Sequence, residues 1–319
     1  MPETPEVAPL LLIAGPTGSG KSDLSLSIAA DFNGEVVNCD SVQIYRWFDI
    51  GSAKLPISER RDIPHHLIDI CEPDDVFTAG DYSRFARQVI AEIASRGRLP
   101  IVVGGTGFYL RALLYGLFEG PPRDEQLRAR LTNRQMRRPG ILHRLLRRRD
   151  PISAKRIHPN DVNKTIRALE VILTAGRPLT EMFAAGSQPL SGFRVLSIGL
   201  NPPREALYER LNRRTQRIFE LGIVDETRSI LARGYPETAK PFESLGYAQA
   251  LRVVKGEWTV DQAIADTQLE TRRYAKRQWT WFRRERDMHW IDGFGDETSL
   301  QHLVSRTVTE FFSNPPKNS

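Results

Sequence analysis

The sequence predicts an α/β fold: a parallel sheet flanked by helices and interrupted by an inserted all-helical domain. Three observations carry the prediction. Short apolar runs alternate with helical periodicity from residue 10 to residue 107. The first run ends in the glycine-rich loop Gly15-Pro16-Thr17-Gly18-Ser19-Gly20-Lys21-Ser22. A long arginine-rich stretch of helical character begins after Pro121-Pro122. Strand, helix, strand, helix, strand places parallel strands side by side with helices on their faces.

Residues 10–14 are a continuous apolar run, as expected of a buried parallel strand that enters a tight turn at Gly15. Residues 21–30 read as a helix stopped near Asn33-Gly34, and residues 35–39 as a second strand ending at Asp40. A helix over 80–96 carries Tyr82, Phe85, Val89 and Ile93 on one side. A third strand over 99–103 leads into Gly104-Gly105-Thr106-Gly107. Residues 123–175 read as helical, with breaks at Pro139-Gly140, Asp150-Pro151 and His158-Pro159. A returning strand is expected over 194–200 and long helices over 203–234 and 260–286. The expected organisation is an N-terminal extension (1–9), a core in two parts (10–120 and 191–313), an inserted helical domain (121–190) and a disordered tail (314–319).

The loop matches Gly, four residues, Gly, Lys and Ser or Thr, in the strand-to-helix context that makes such a loop a phosphate site. Its glycines let backbone N–H groups turn toward phosphate oxygens, and the helix N-terminus adds positive potential. Lys21 neutralises charge, and Ser22 offers a hydroxyl to Mg²⁺. The fold class is therefore P-loop NTPase-like, and the loop alone points to a polyphosphate such as ATP. Asp40, at the carboxyl end of the second strand, falls where open α/β sheets place ligands. It fits a Mg²⁺-holding acid, a general base or the cap of the turn that follows. Thr106 holds the equivalent place after the third strand.

The chain has 319 residues, 40% of them hydrophobic, which is ample for a packed core. Its apolar runs fall short of the roughly 20 residues a membrane helix needs. The acidic, proline-containing start has no export signal, and the two cysteines, Cys39 and Cys71, suit neither a zinc site nor a redox dithiol. A cytoplasmic, membrane-free protein is expected. The formal net charge of +6 suggests a polyanionic partner, and its distribution says more. Residues 123–149 hold ten arginines against Asp124 and Glu125. Residues 272–286 hold seven basic residues against one acid, interleaved with Tyr274, Trp279, Trp281 and Phe282. Basic blocks with aromatic rings favour nucleic acid.

Beyond the loop, Asp40-Ser41-Val42-Gln43-Ile44-Tyr45-Arg46 and Gly104-Gly105-Thr106-Gly107-Phe108-Tyr109 form a recognisable set. So do Arg156-Ile157-His158-Pro159-Asn160-Asp161, Arg167-Ala168-Leu169-Glu170, Ser244-Leu245-Gly246-Tyr247 and the run from Thr271 to Arg283. In order and spacing the sequence resembles the tRNA dimethylallyltransferase (isopentenyltransferase) family over residues 10–290. The resemblance implies transfer of the dimethylallyl group of dimethylallyl diphosphate to the N6 amine of the adenosine 3′ of a tRNA anticodon, with Mg²⁺. It makes Asp40 the acceptor of the N6 proton and has Thr17 to Ser22 and Thr106 hold the diphosphate with Arg214. The positions that match tRNA-contacting segments are Asp40, Ser41, Val42 and Gln43; Asn163, Lys164, Thr165, Ile166 and Arg167; and Glu243, Ser244, Leu245, Gly246, Tyr247 and Ala248. Lys276, Arg277, Gln278, Trp279, Thr280, Trp281, Phe282 and Arg283 match a further segment, and Thr106 and Arg128 match single positions.

The implied partner is the tRNA anticodon stem-loop, bound by a monomer in which 10–120 and 191–313 make the catalytic core and 121–190 is a tRNA-binding domain. The chain lacks the Cys and His residues of an appended zinc finger, so the resemblance is to the bacterial type. Trp279 and Trp281, two residues apart, do not share a helix face, so at least one is expected in the core. Two other activities share parts of the pattern: a P-loop small-molecule kinase and an adenylate isopentenyltransferase acting on free nucleotides. Neither gives the arginine-rich insertion or the run from Thr271 to Arg283 anything to do.

Overall fold

The computed structural model describes residues 7–117, 120–184, 188–285 and 287–313; the expected tail at 314–319 lies outside them. In chain order the elements are β1 (Ala8–Ala14), α1 (Lys21–Asp31), β2 (Gly34–Cys39), β3 (His65–His66), α2 (Ala79–Ser95), β4 (Leu99–Gly104) and α3 (Gly107–Tyr115). Then come α4 (Glu125–Arg137), α5 (Ile141–Arg149), α6 (Pro151–Arg156), α7 (Val162–Ala175) and α8 (Leu179–Ala184). The chain closes with β5 (Phe193–Asn201), α9 (Arg204–Glu220), α10 (Ile223–Ala232), α11 (Tyr247–Val254), α12 (Val260–Phe282), β6 (Met288–Asp292) and α13 (Thr298–Ser313). Two compact units result: Met1–Leu113 with Leu190–Ser319, and Leu114–Pro189.

The six strands form one sheet in the order β3-β2-β4-β1-β5-β6, and every pairing is parallel. Strands β1, β2 and β4 are buried along nearly their whole length; β1 and β4 accordingly read as continuous apolar runs, whereas β2 also buries Glu35 and Asn38. On one face the sheet packs Leu11, Ile13, Ile101 and Ile198 against Leu24 and Ile28 of α1 and Leu300, Val304 and Val308 of α13. A second cluster packs Ile44, Tyr45 and Phe48 against Ile223, Phe242 and Tyr247. Between α9 and α12, Leu207 and Leu211 meet Ala275 and Trp279. In the unit Leu114–Pro189, Leu131, Leu142 and Leu146 pack on Ile166, Leu169 and Ile172.

Some elements differ from expectation. The helix expected over 203–234 is two helices, because Gly222 adopts φ +96° at the N-cap of α10. The helix expected to reach 286 ends at Phe282, and β6 follows at the sheet edge. Strand β3 is two residues long, too short to carry a periodic signal. Among the described residues no helix is long and apolar enough to cross a membrane. Both cysteines are buried free thiols.

Candidate functional site

Strand β4 lies between β2 and β1, and its last residue, Gly104, is in register with both Cys39 and Ala14. The three connections that leave the carboxyl edge, the loop from Gly15, the turn from Asp40 and the turn from Gly105, therefore start at one level of the sheet. That edge is where parallel α/β sheets expose ligand-binding loops. Thr17, Lys21, Ser22, Asp40, Gly105 and Arg214 all line one cleft there.

The Gly15–Ser22 loop closes tightly because Gly18 and Gly20 take positive φ, +77° and +84°. A Cβ on Gly20 would meet the Gly295 amide at 2.7 Å, so backbone stands where a side chain would. Behind the loop, Gly295 N–H donates to Ser19 O at 2.9 Å. Lys21 Nζ folds back across it and donates to Pro16 O at 2.7 Å and Gly15 O at 3.1 Å. Burial, then the Arg214 guanidinium, pulls the Lys21 pKa down to about 7, with Asp40 acting against them. Ser22, in the first turn of α1, is exposed at the cleft.

The two oxygens of Asp40 differ in their surroundings. Its Oδ1 accepts from Val42 N–H at 2.8 Å and Gln43 N–H at 3.2 Å, which fixes the turn. Its Oδ2 accepts from none of the described residues, and the residue lines the cleft. Thr106 Oγ1 accepts from Ser41 N–H at 3.2 Å, tying the β4 turn to the β2 turn. Arg214, on α9, reaches Thr17 Oγ1 at 3.4 Å. Burial lowers the Arg214 pKa, and Asp40 works to raise it. One turn earlier on α9, Arg210 lines the same cleft, held by Asp296 at 2.7 Å and lying over the Phe294 ring.

Helix α12 presents two faces. Lys276, Arg277, Thr280 and Arg283 are exposed, whereas Gln278, Trp279 and Phe282 are buried. Trp281 is half-buried and lies against Gly107, whose Cβ would meet the indole Nε1 at 2.1 Å. Tyr274, four residues before Gln278, lines the cleft, and burial raises its phenol pKa strongly, with Asp40 adding to the rise.

The remaining sequence candidates divide by exposure. Asn163, Lys164 and Glu243 are exposed, while Thr165, Ile166, Gly246 and Tyr247 are buried. Tyr247 is 0% exposed, donates to Glu226 and accepts from Gly51 N–H at 3.0 Å. Glu226 in turn accepts from Ile50 N–H at 2.9 Å, and burial raises its pKa. Tyr247 and Glu226 thereby fix the segment before Ser52, whose carbonyl receives the Gln43 amide at 3.1 Å. Gln43, Ser41, Val42, Ser244, Leu245 and Ala248 are half-buried. Arg128 and Arg167 both grip the buried Glu170 carboxylate, at 3.2 and 2.7 Å.

Sequence reasoning missed Arg210 and Tyr274 as cleft residues. Their signal is spacing: Arg210 lies four residues from Arg214 on α9, and Tyr274 four from Gln278 on α12, so each pair shares a helix face.

A glycine-rich loop closed on a lysine, beside a carboxylate at the edge of a parallel sheet, defines an α/β enzyme of the P-loop class. The IPP transferase family model matches residues 43–285. The tRNA dimethylallyltransferase of Solibacter usitatus is 58% identical over 303 residues, covering 95% of this chain and 99% of that protein. That of Koribacter versatilis is 54% identical, covering 91% and 95%. Among solved structures, the tRNA isopentenylpyrophosphate transferase of Bacillus halodurans is 35% identical with a TM-score of 0.70, covering 96% of this chain and 98% of that one. A eukaryotic dimethylallyltransferase acting on tRNA is 27% identical with a TM-score of 0.82, covering 98% and 81%. The chain belongs to the IPP transferase family, the tRNA dimethylallyltransferases.

Proposed function

We propose that the cleft transfers the dimethylallyl group of dimethylallyl diphosphate to the N6 amine of the adenosine 3′-adjacent to the anticodon in tRNA, giving N6-(dimethylallyl)adenosine and diphosphate. The observation that carries the reading is the Asp40 carboxylate: one oxygen is anchored in its turn and the other is unbonded among the described residues, in the cleft that also holds Lys21 and Arg214.

The exocyclic amine of adenine is a weak nucleophile because its lone pair is delocalised into the ring. A carboxylate that orients the amine and takes its proton assists the attack. As the new C–N bond forms, the allylic C–O bond breaks and its electron pair goes to the diphosphate. The proton goes to Asp40 Oδ2. Charge building on the diphosphate is met by N–H groups at the start of α1, by Lys21 and Arg214, and by the hydroxyls of Thr17 and Thr106. Ser22, an exposed hydroxyl beside that charge, suits Mg²⁺, which keeps much of its water and needs few protein ligands. When bound, the metal would neutralise the leaving group.

In the larger unit the exposed basic residues Lys276 and Arg277 of α12 and Arg283 at its C-cap suit the backbone of the anticodon stem-loop, and in the smaller unit Asn163 and Lys164 of α7 offer polar contacts of the same kind. Two reduced, buried thiols agree with a cytoplasmic setting, and a monomer leaves these surfaces open. The test is label partition. Label on the prenyl carbons should appear in tRNA and not in free AMP, ADP or ATP. Movement of label from an ATP γ-phosphate to any acceptor, with none from dimethylallyl diphosphate, would sink the reading.

A further inference from the structure

Gln278 stands in the segment expected to touch tRNA, yet its side chain is 5% exposed and borders the cleft that holds Lys21 and Asp40. Both heteroatoms of its amide have partners within the protein. Gln278 Oε1 accepts from Thr17 N–H in the phosphate loop at 2.8 Å. Its Nε2 donates to Gly105 O, in the turn that presents Thr106, at 2.9 Å. One side chain on α12 thus ties together two of the three turns at the cleft, across 261 and 173 residues of sequence. The fit is close: a Cβ on Gly105 would stand 2.3 Å from Gln278 Nε2. Two residues earlier, the exposed Lys276 lies on the opposite face of the same helix.

We propose that Gln278 is a positioning residue for the diphosphate rather than an RNA contact: it clamps the phosphate loop to the Gly105–Thr106 turn and so sets the distance between the donor groups at the two ends of the leaving group. The inference rests on reading the cleft as the diphosphate site. Its physical content is specific. The Thr17 N–H, which a phosphate loop would otherwise turn toward its anion, is committed to Gln278. That leaves the anion to the N–H groups at the start of α1, which have no intrahelical partners. Without the clamp the loop and the turn move independently, and the donors on them no longer meet one diphosphate in a fixed geometry. Misplacing binding groups by about an ångström costs up to about a hundredfold.

The test uses Gln278→Met, which keeps the volume and removes both hydrogen bonds, with inorganic diphosphate and Mg²⁺ as the probe. Diphosphate affinity and 1/KM for dimethylallyl diphosphate are expected to fall by about tenfold or more, while tRNA affinity stays within about twofold. Lys276→Ala should do the reverse. Gln278→Glu, which keeps an acceptor for Thr17 N–H but sets a carboxylate against Gly105 O, should bind diphosphate more weakly than the original chain. If Gln278→Met does not fold, Gly105→Ala decides, because its added methyl displaces the amide from the other side and predicts the same split. Weakened tRNA binding with unchanged diphosphate affinity would overturn the proposal in favour of an RNA contact. Equal losses for both ligands, in step with a lowered Tm, would overturn it in favour of a purely structural role. The unaltered chain is measured first: if it binds no diphosphate, the reading of the cleft fails and this inference with it. If it binds and Gln278→Met binds equally well, only this inference fails.

Discussion

Replacing Asp40 separates the turn-fixing bonds of its carboxylate from the proton-accepting role proposed for it. In Asp40→Asn the amide oxygen still accepts from the Val42 and Gln43 N–H groups, now 2.8 and 3.2 Å from Oδ1, so the turn should persist. What disappears is the basic oxygen. A positioned base contributes roughly a hundredfold to ten-thousandfold, or about 2.7–5.5 kcal/mol of barrier. Asp40→Ala removes the cap as well, and two N–H groups lose their acceptor at about 1 kcal/mol each. The assay is single-turnover prenyl transfer with both substrates saturating, alongside tRNA binding and thermal melting. The Asn variant should melt with the original chain, bind tRNA within a few-fold and transfer at least about a hundredfold more slowly. The Ala variant should be as slow and melt lower. Transfer by Asp40→Asn within tenfold of the original rate would refute the role of Asp40 as proton acceptor. A loss of rate matched by an equal loss of tRNA affinity would make Asp40 an RNA contact instead.

Lys21 gives a pH prediction. Its folded pKa of about 7 lies below the ordinary lysine value, so at pH 8 it is largely neutral, and a bound diphosphate favours the charged form. Diphosphate binding at pH 8 should therefore take up a proton, and KM for dimethylallyl diphosphate should be flat below pH 7 and climb above it. Calorimetry in two buffers of different ionisation heat reads this directly, and no buffer dependence would contradict it. Gly107→Ala drives a methyl into the Trp281 indole, with Nε1 at 2.1 Å, and overpacking of this kind costs about 1–3 kcal/mol. Urea denaturation should show that loss and its recovery in Gly107→Ala/Trp281→Ala; additive losses would refute the contact. Glu35, 2% exposed, lies 2.6 Å from His66 Nε2 and is bonded by Arg96 and Arg98 at 2.8 and 3.1 Å. Burial opposes its charge, but the His66 and Arg96 hydrogen bonds outweigh burial and hold its pKa below the ordinary value. Its stabilisation is therefore present above the ordinary glutamate range and is lost as pH falls through the folded value. Glu35→Gln should cost about 1–3 kcal/mol at pH 7, and the two proteins should converge in acid; a constant gap down to pH 3 would contradict this.

The central sheet was legible because β1 and β4 are buried and read as continuous apolar runs ending in turn residues, and because β2, although it carries Glu35 and Asn38, keeps Val36 and Val37 between a glycine and the Asp40 turn. Where burial is partial the signal fades. Strand β6 has no fully buried residue, and α13, although Leu300, Val304 and Val308 recur at every fourth position, follows a glycine-rich turn that obscures its start. The break between α9 and α10 was visible in principle at Gly222, since a glycine followed by an acidic first turn marks a helix start. At the site, the phosphate loop and Asp40 could be found because strand ends fix them locally. The sequence left capping and base chemistry as alternatives for Asp40; in the structure one oxygen caps and the other is spare. The engagement of Gln278 had no local signal at all. A polar residue between Arg277 and Trp279 reads as part of a basic surface, and its partners lie in turns far away along the chain. Tyr247 shows the same limit: its family motif says nothing of the buried Glu226 that it bonds.

The proposed reaction has Asp40, Lys21 and Arg214 serve prenyl transfer onto an anticodon-loop adenosine. Its most direct test is mass analysis of nucleosides from tRNA incubated with the protein, Mg²⁺ and dimethylallyl diphosphate. The account predicts that adenosine next to the anticodon gains one C5H8 unit, and that Asp40→Asn suppresses the gain. Unmodified tRNA after incubation with a protein that binds both substrates would contradict it.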